Sequence, residues 1–169
     1  MLELFCPDLY VESLLSLDLE ALKGKGIRGV VLDIDNTIVE WGSEAVASEV
    51  KLWFARAKEL GFKMCTLSNG FRRRINSISG VLDLPVANGF LKPTKGAFRK
   101  ALEVLGTRPY ETAIVGDQVF TDVLGGNLMG LYTILVRPLC EREFVTTRLV
   151  RKVERVLLRF LTRRGMLAR

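Results

Sequence analysis

Two carboxylates, Asp33 and Asp35, follow directly on the apolar residues 29–32, at the end of what the pattern predicts as a buried strand. Burial and mutual repulsion both raise the free energy of two like charges at such a place. We therefore expect a cation beside them or a catalytic use for them. A carboxylate can attack phosphorus, so Asp33 is a candidate nucleophile that would form an aspartyl phosphate. Asp35 is a candidate acid and base, which would protonate the leaving oxygen and later activate water.

Further polar side chains suited to phosphate follow in the next part of the chain. Ser68 and Asn69 come directly after the apolar run 62–67 and offer a hydroxyl and an amide to phosphoryl oxygens. Lys92 supplies a compact positive charge that can balance a nucleophile and a phosphate. These three residues are therefore candidate phosphate ligands.

A third polar cluster contains Asp117, which ends the apolar run 111–116. In open α/β sheets ligands bind beyond the carboxyl ends of the strands, so Asp117 should approach Asp33. One carboxylate of the Asp33/Asp35 pair, a backbone carbonyl and the carboxylate of Asp117 would form an all-oxygen site of the kind that Mg²⁺ prefers. Asp122 is expected to support this site, as a further ligand or as a partner of a ligand.

The order of apolar runs predicts an α/β domain in which strands and helices alternate. Helical spacing of apolar residues and short β-branched runs place the elements as follows. We expect strands at 27–33, 62–67, 85–90, 111–117 and 132–136, and helices at 46–60, 71–79, 94–105 and 145–161. Such alternation favours a mostly parallel sheet with right-handed crossovers. The loops are short and no repeat is present, so residues 1–169 are expected to form a single domain.

Composition excludes several classes of chemistry. Histidine is absent from the 169 residues, which rules out Ser-His-Asp triads, Cys-His dyads and histidine-ligated zinc. The three cysteines form no CxxC pair, so neither a disulfide framework nor a thiolate zinc site is expected. No apolar run reaches the ~18 residues of a membrane span, and the acidic N-terminus is unlike a cleaved export signal. We expect a cytoplasmic protein.

The net charge of +6 is concentrated at one end of the chain. Residues 145–169 contain eight basic side chains and one acid, a net charge of +7, so the remainder carries −1. The expected helix at 145–161 is therefore basic and amphipathic, and two interpretations remain open. Its apolar face can dock on the sheet, as in most surface helices, or it can lie on an anionic membrane surface.

Four short motifs, taken together, resemble those of the haloacid-dehalogenase-like phosphatases. They are "DIDNT" (33–37), "SN" (68–69), "KP" (92–93) and "GDQVFTD" (116–122). The resemblance implies a Rossmann-like three-layer sandwich, a magnesium cofactor, Asp33 as nucleophile and Asp35 as acid and base. It also implies that Ser68 and Lys92 bind phosphate and that Asp117 holds the metal, with Thr37 and Asp122 in supporting positions. The gaps between the motifs are too short for a large cap domain, so we expect an open site.

A finer resemblance, over residues 3–155, is to small enzymes of this family that include phosphatidylglycerophosphate phosphatases. It implies release of the terminal phosphate of phosphatidylglycerophosphate to give phosphatidylglycerol, and peripheral contact with the inner face of the membrane. Two positions depart from the expected pattern, since Gly70 stands in place of an asparagine and Leu128 in place of an arginine. These departures bear on the substrate rather than on the chemistry.

Other interpretations of the same residues remain open at this stage. Asp33 and Asp35 taken alone are common turn and cap residues, and "FRRR" at 71–74 is typical of a solvated helix face as much as of a site that attracts anions. A soluble sugar-phosphate or nucleotide phosphatase is the alternative enzyme. A non-catalytic binder of nucleic acid or of a membrane surface is the alternative from another class, although no nucleic-acid-binding motif is present and we expect no nucleic-acid partner.

Overall fold

A computed structural model describes residues 2–140 and 145–165 of the chain. Its centre is a sheet of five parallel strands in the spatial order β1-β5-β4-β2-β3. The strands are β1 (Leu9–Val11), β2 (Gly29–Leu32), β3 (Lys63–Thr66), β4 (Thr112–Gly116) and β5 (Tyr132–Val136). Strands β2 and β4 are buried along their whole length, as their unbroken apolar runs predict for the middle of a parallel sheet.

Six α-helices of the described residues surround this sheet. They are α1 (Leu19–Gly24), α2 (Ser48–Glu59), α3 (Arg72–Val81), α4 (Lys95–Leu105), α5 (Leu124–Met129) and α6 (Val145–Arg163). Alternate residues of β2 point to opposite faces, so Val30 and Leu32 pack with the helices α1, α2 and α3, whereas Val31 packs with α4. The result is the three-layer, Rossmann-like α/β architecture that the sequence predicts. None of the described helices is both long and apolar enough to cross a bilayer.

The edges of the sheet differ from the sequence-based expectation. The first strand, β1, was not predicted, and it is held beside β5 by the carboxylate of Asp8, which accepts hydrogen bonds from the backbone N–H and the hydroxyl of Thr133. The strand expected at 85–90 is reduced to a single parallel bridge between Thr66 and Val86. Pro85 has no N–H to donate, which limits the pairing of this segment.

Helix α6 packs against the core through a narrow strip of its surface. Leu161 is fully buried, and Leu157 and Leu158 are partly buried against the cluster around Leu135. This is the docked arrangement, but it uses only part of the apolar stripe, because Val153, Val156 and Phe160 remain exposed. The side chains of Val145 and Leu149, which belong to the expected stripe, lie outside the described set.

Buried glycines allow helix α5 to lie close to the sheet. A Cβ atom on Gly126 would stand 2.5 Å from Cγ2 of Ile114 and 2.6 Å from Cγ2 of Thr133. A Cβ atom on Gly125 would stand 2.1 Å from the Phe98 ring. The glycine pair in "LGGN" (124–127) therefore serves the close packing of α5 on the sheet.

We expect Gly126→Ala to lower the free energy of unfolding by about 1–3 kcal/mol, because the added methyl group overlaps two β-branched side chains in a close-packed interior. The matched control is Gly24→Ala at the end of α1, where a Cβ meets nothing within 4 Å. That substitution should be neutral or stabilising by up to about 1 kcal/mol, owing to the higher helix propensity of alanine. Urea denaturation of both variants tests this, and equal midpoints would contradict it.

Candidate active site

The polar clusters meet at one edge of the sheet because the parallel strands β2, β3 and β4 end there. Asp33 follows β2, and its N–H donates to the carbonyl of Val115 in β4 at 2.9 Å, so the sheet ladder itself fixes the Asp33 backbone. In the sheet, β3 is the neighbour of β2 on one edge and β4 is its neighbour on the other. The strand order therefore reverses at β2. Such a reversal of strand order opens a crevice between the loops that follow the strands, where ligands of α/β proteins bind.

Lys92 is the buried cation of this crevice. Its Nζ lies 2.6 Å from Oδ1 of Asp33 and 2.6 Å from Oδ1 of Asp122, and its side chain is only 2% exposed. Burial by itself lowers the pKa of Lys92, but the carboxylates of Asp122 and Asp33 outweigh it and the net shift is upward. Lys92 therefore stays charged at neutral pH, in contact with the candidate nucleophile.

Asp122 is held by the π-helical turn Val119–Val123. Its Oδ2 accepts the backbone N–H of Gln118 at 3.1 Å, while its Oδ1 contacts Lys92. Gly116 permits this arrangement, because a Cβ there would stand 2.2 Å from the Asp122 carboxyl carbon. Burial raises the pKa of Asp122 and Lys92 lowers it, with a net upward direction. The structure thus places Asp122 as a brace for Lys92.

Three buried carboxylates could hold a metal ion together. Oxygen atoms of Asp33, Asp117 and Asp122 all lie within 4.8 Å of one another. With the pair formed by Asp35 and Arg74, the crevice contains four carboxylates against two cations, a net charge of −2 when all are ionised. A divalent cation would neutralise this charge, and hard oxygen donors of this kind suit Mg²⁺. The residues present therefore fit the ion that the sequence predicts.

Asp35 lies at the crevice mouth, separate from the carboxylate cluster. Arg74 of α3 donates to its Oδ1, and the same guanidinium donates to the carbonyl of Ser43 at 2.6 and 3.1 Å. Burial raises the pKa of Asp35; the Arg74 charge works against this shift, the Asp33 charge adds to it, and the net direction is upward. A raised pKa suits a carboxyl group that must hold a proton near neutral pH. The two acids of the motif thus have the different environments that their two proposed roles require.

Arg74 is a site residue that sequence reasoning did not single out. The sequence marks 71–74 as a basic run, but Arg72 and Arg73 are exposed and only the third arginine turns inward. Helical spacing after β3 indicates that one arginine of this run points toward the protein interior. Its contact with Asp35 depends on where the loop through Ser43 lies, which no local pattern predicts.

The remaining predicted residues lie around the same crevice. Ser68 is half-buried at the end of β3 and lines the cavity. Asn69 uses its amide to bind the backbone of Lys92, donating to its carbonyl at 3.0 Å and accepting its N–H at 2.8 Å. This places Asn69 as a support for Lys92 in addition to its expected contact with phosphate. Thr37 is buried below the two acids of its motif.

An open cavity of about 450 Å³ lies above these groups. Asp33, Asp35 and Lys92 are among the residues that line it, while Trp41 and Phe71 stand at its mouth. Only helix α2 and strand β3 separate Thr37 from Ser68, so no cap domain is inserted there. Of the two positions that depart from the expected pattern, Gly70 lines the cavity and Leu128 does not.

Comparison with known proteins agrees with this geometry. Residues 2–71 match the family model described as mitochondrial PGP phosphatase, and residues 90–138 match the one described as HAD-hydrolase-like. The chain is 37% identical to the probable phosphatase YqeG of Bacillus subtilis over 95% of its own length and 94% of that protein. The chain belongs to the HAD superfamily of phosphatases.

A second relative is phosphatidylglycerophosphate phosphatase 1, chloroplastic/mitochondrial, of Arabidopsis thaliana. Identity is 30% over 95% of this chain, which spans about half of the plant protein (49%).

Solved structures share the fold. The HAD-hydrolase YfnB of Bacillus subtilis, bound to magnesium, aligns with a TM-score of 0.54 at 13% identity, covering 78% of this chain and 98% of that one. The cobalt-bound deoxy-D-mannose-octulosonate 8-phosphate phosphatase of Haemophilus influenzae aligns with a TM-score of 0.53 at 15% identity. The alignment covers 80% of this chain and 89% of that one.

Proposed function

We propose that this phosphatase removes the terminal phosphate of phosphatidylglycerophosphate in a magnesium-dependent reaction. The observation that carries the lipid assignment is the match of residues 2–71 to the mitochondrial PGP phosphatase family, a range that includes Asp33, Asp35 and Ser68. The plant relative, named for the same substrate, supports it. The open cavity is consistent with it, because no cap domain stands between the site and a head group attached to a membrane.

The proposed reaction has two displacements at phosphorus. In the first, a carboxylate oxygen of Asp33 forms a bond to phosphorus, the ester P–O bond breaks, and Asp35 gives its proton to the departing alcohol oxygen. In the second, Asp35 takes a proton from water, the water oxygen attacks phosphorus, and the bond to Asp33 breaks to release phosphate. Ser68 and Lys92 would hold the phosphoryl oxygens, and Asn69 would keep the backbone of Lys92 in place.

The metal would be held by Asp33, Asp117 and the backbone carbonyl of Asp35, with Asp122 as a brace. When bound, Mg²⁺ would offset negative charge on the carboxylates and the phosphoryl group. Hydrolysis and thermal unfolding measured with and without Mg²⁺ test this proposal, since a bound ion stabilises the folded state as well as supporting activity. Neither quantity changing on chelation would contradict it.

A substrate panel tests the lipid assignment. It compares phosphatidylglycerophosphate, in short-chain and long-chain forms, with sugar phosphates and nucleoside monophosphates under the same metal conditions. We expect kcat/KM to be highest for the lipid ester. A higher value for a sugar phosphate or a nucleotide would replace the proposal with the soluble alternative.

Helix α6 is proposed to make peripheral contact with the inner face of the membrane. Lys152, Arg155 and Arg159 are exposed on this helix, next to its exposed apolar side chains. Basic side chains near an anionic surface contribute about 1 kcal/mol each. We therefore expect Lys152→Gln/Arg159→Gln to weaken co-sedimentation with anionic vesicles by about tenfold or more. The exposed pair on α4, replaced as Arg99→Gln/Lys100→Gln, is the control, and an equal loss there would mean that only net charge matters.

The pH profile tests the role of Asp35 through Arg74. In Arg74→Gln the cation that lowers the pKa of Asp35 is lost, so this pKa rises further and Asp35 stays protonated to higher pH. The alkaline limb of kcat/KM against pH should move to higher pH, and kcat/KM at neutral pH should fall about tenfold because Asp35 loses its orienting partner. Arg73→Gln removes a positive charge from an exposed neighbour and should change neither the alkaline limb nor kcat/KM at neutral pH. A limb that moves to lower pH in Arg74→Gln would contradict the assignment.

A further inference from the structure

Large apolar side chains stand exposed around the mouth of the cavity. Trp41 and Phe71 line it, and Phe71 is 76% exposed. Phe90 and Leu91, which are 59% and 64% exposed, precede Lys92 on the segment that enters the site. We call these four residues the apolar rim. They belong to three different loops, all at the edge of the sheet where the strands end.

The contacts that the rim residues make leave much of their surface exposed to solvent. The Phe90 ring lies against Gly96 in the first turn of α4, where a Cβ would stand 2.9 Å from the ring, yet more than half of the Phe90 side chain faces solvent. Phe71 occupies the N-cap position of α3, where its carbonyl accepts the Ile75 N–H at 3.0 Å but its side chain makes no cap hydrogen bond. Several large exposed apolar side chains on the loops beside a binding site indicate a place of interaction.

The charges around the rim indicate the chemistry of its partner. Arg72 and Arg73 are exposed next to Phe71, and Lys95 is exposed at the start of α4. Exposed acids also lie at this edge: Glu12 pairs with Arg137, Glu44 is engaged with Ser77, and Glu40 precedes Trp41. Apolar side chains with neighbouring cations match a surface that is apolar inside and anionic outside, which is the composition of an anionic bilayer.

We propose that the apolar rim docks on an anionic phospholipid bilayer, with Phe71 and Leu91 entering the interface and the cavity opening toward the head groups. This inference rests on the proposed lipid substrate and adds the orientation of the site toward the membrane. A phosphate ester attached to a lipid then reaches Asp33 without leaving the bilayer. A second copy of this chain fits the rim less well, because a symmetric contact would bring Arg72 and Arg73 of two copies together.

The two tryptophans provide a direct test. Trp41 is in the rim, whereas Trp53 is 8% exposed in the core. Vesicles that contain brominated phosphatidylcholine and about one phosphatidylglycerol in three lipids quench tryptophans that enter the interface. We expect quenching of the wild-type protein and of Trp53→Phe, and little quenching of Trp41→Phe, in which Trp53 alone emits.

The rim is tested separately by Phe71→Ser/Leu91→Ser. Serine is favoured at a helix N-cap, so Phe71→Ser should not weaken α3. We expect this variant to bind the vesicles at least about tenfold more weakly, because two apolar side chains no longer leave water. The control is Leu52→Ser on α2, a side chain 70% exposed, whose loss should not change vesicle binding. Thermal unfolding of both variants verifies that they are folded.

Each outcome decides for or against the docking surface. Vesicle binding without quenching of Trp41 overturns it, as does a concentration-dependent dimer that is lost in Phe71→Ser/Leu91→Ser. Hydrolysis of short-chain phosphatidylglycerophosphate with no vesicle binding overturns it and leaves the proposed function standing. Rim-dependent binding with no hydrolysis of that ester supports the docking surface and overturns the proposed substrate.

Discussion

Replacing Asp33 with asparagine is expected to lower phosphate release by at least about 10⁴-fold, since an amide cannot act as the nucleophile in the first displacement. The change is nearly isosteric, and Lys92 keeps its contact with Asp122 at 2.6 Å. We therefore expect the variant to remain folded, with a far smaller effect on stability than on activity. Steady-state hydrolysis of a chromogenic phosphate ester measures the loss.

The covalent step can be observed separately from turnover. Acid quenching of the wild-type protein with labelled substrate should trap a phosphoryl group that hydroxylamine releases, as expected for an acyl phosphate. Asp33→Asn should trap none. The control is Asp83→Asn, in which an exposed acid with a φ of 52° becomes a residue that tolerates this backbone conformation. A phosphoryl label that persists in Asp33→Asn would place the nucleophile elsewhere.

The sequence predicts that the active-site side chains lie close together, because sheet topology determines where they are placed. Asp33, Ser68 and Asp117 follow three parallel strands, and the carboxyl ends of parallel strands lie at one edge of a sheet. The unbroken apolar runs identify those strands without tertiary information. Lys92 follows no strand of the described sheet, so its predicted place depended on the family motif, and two ion pairs are what bring it to Asp33.

Other features depend on contacts that local pattern does not contain. Strand β1 has three residues, and its position depends on hydrogen bonds between Asp8 and Thr133, which are 125 residues apart. On α6 the apolar stripe is wider than the strip that docks, so helical spacing groups Val153 and Phe160 with Leu161, although only Leu161 is buried. The docked strip also contains the carboxylate of Glu154, which accepts the Phe120 N–H at 3.2 Å. Hydrophobic spacing shows which faces are apolar, whereas the shape of the neighbouring surface decides which of them is covered.

Replacement of the buried Lys92 is expected to have a second large effect, on stability and on activity. Lys92→Met leaves the carboxylates of Asp33, Asp117 and Asp122 within 4.8 Å of one another without their cation. Breaking a buried ion pair on one side typically costs about 3–5 kcal/mol, so we expect this loss in the free energy of unfolding at neutral pH without divalent metal. Activity should fall at least about 10²-fold, because the phosphoryl group loses a charged partner. Urea denaturation and steady-state kinetics measure the two effects.

The pH dependence separates this repulsion from a simple loss of packing. Burial raises the pKa of Asp122 and Lys92 works against this shift, so without Lys92 the folded pKa of Asp122 lies still further above its unfolded value. The folded state then holds more protons than the unfolded state, and stability falls as pH rises through the folded pKa of Asp122. The deficit of Lys92→Met relative to wild type should therefore shrink at acid pH, and it should also shrink on addition of Mg²⁺. Lys100→Met removes a lysine from an exposed pair and should change stability by less than about 0.5 kcal/mol at any pH. A Lys92→Met deficit that is the same at acid and neutral pH would mean that the lysine stem, and not its charge, stabilises this site.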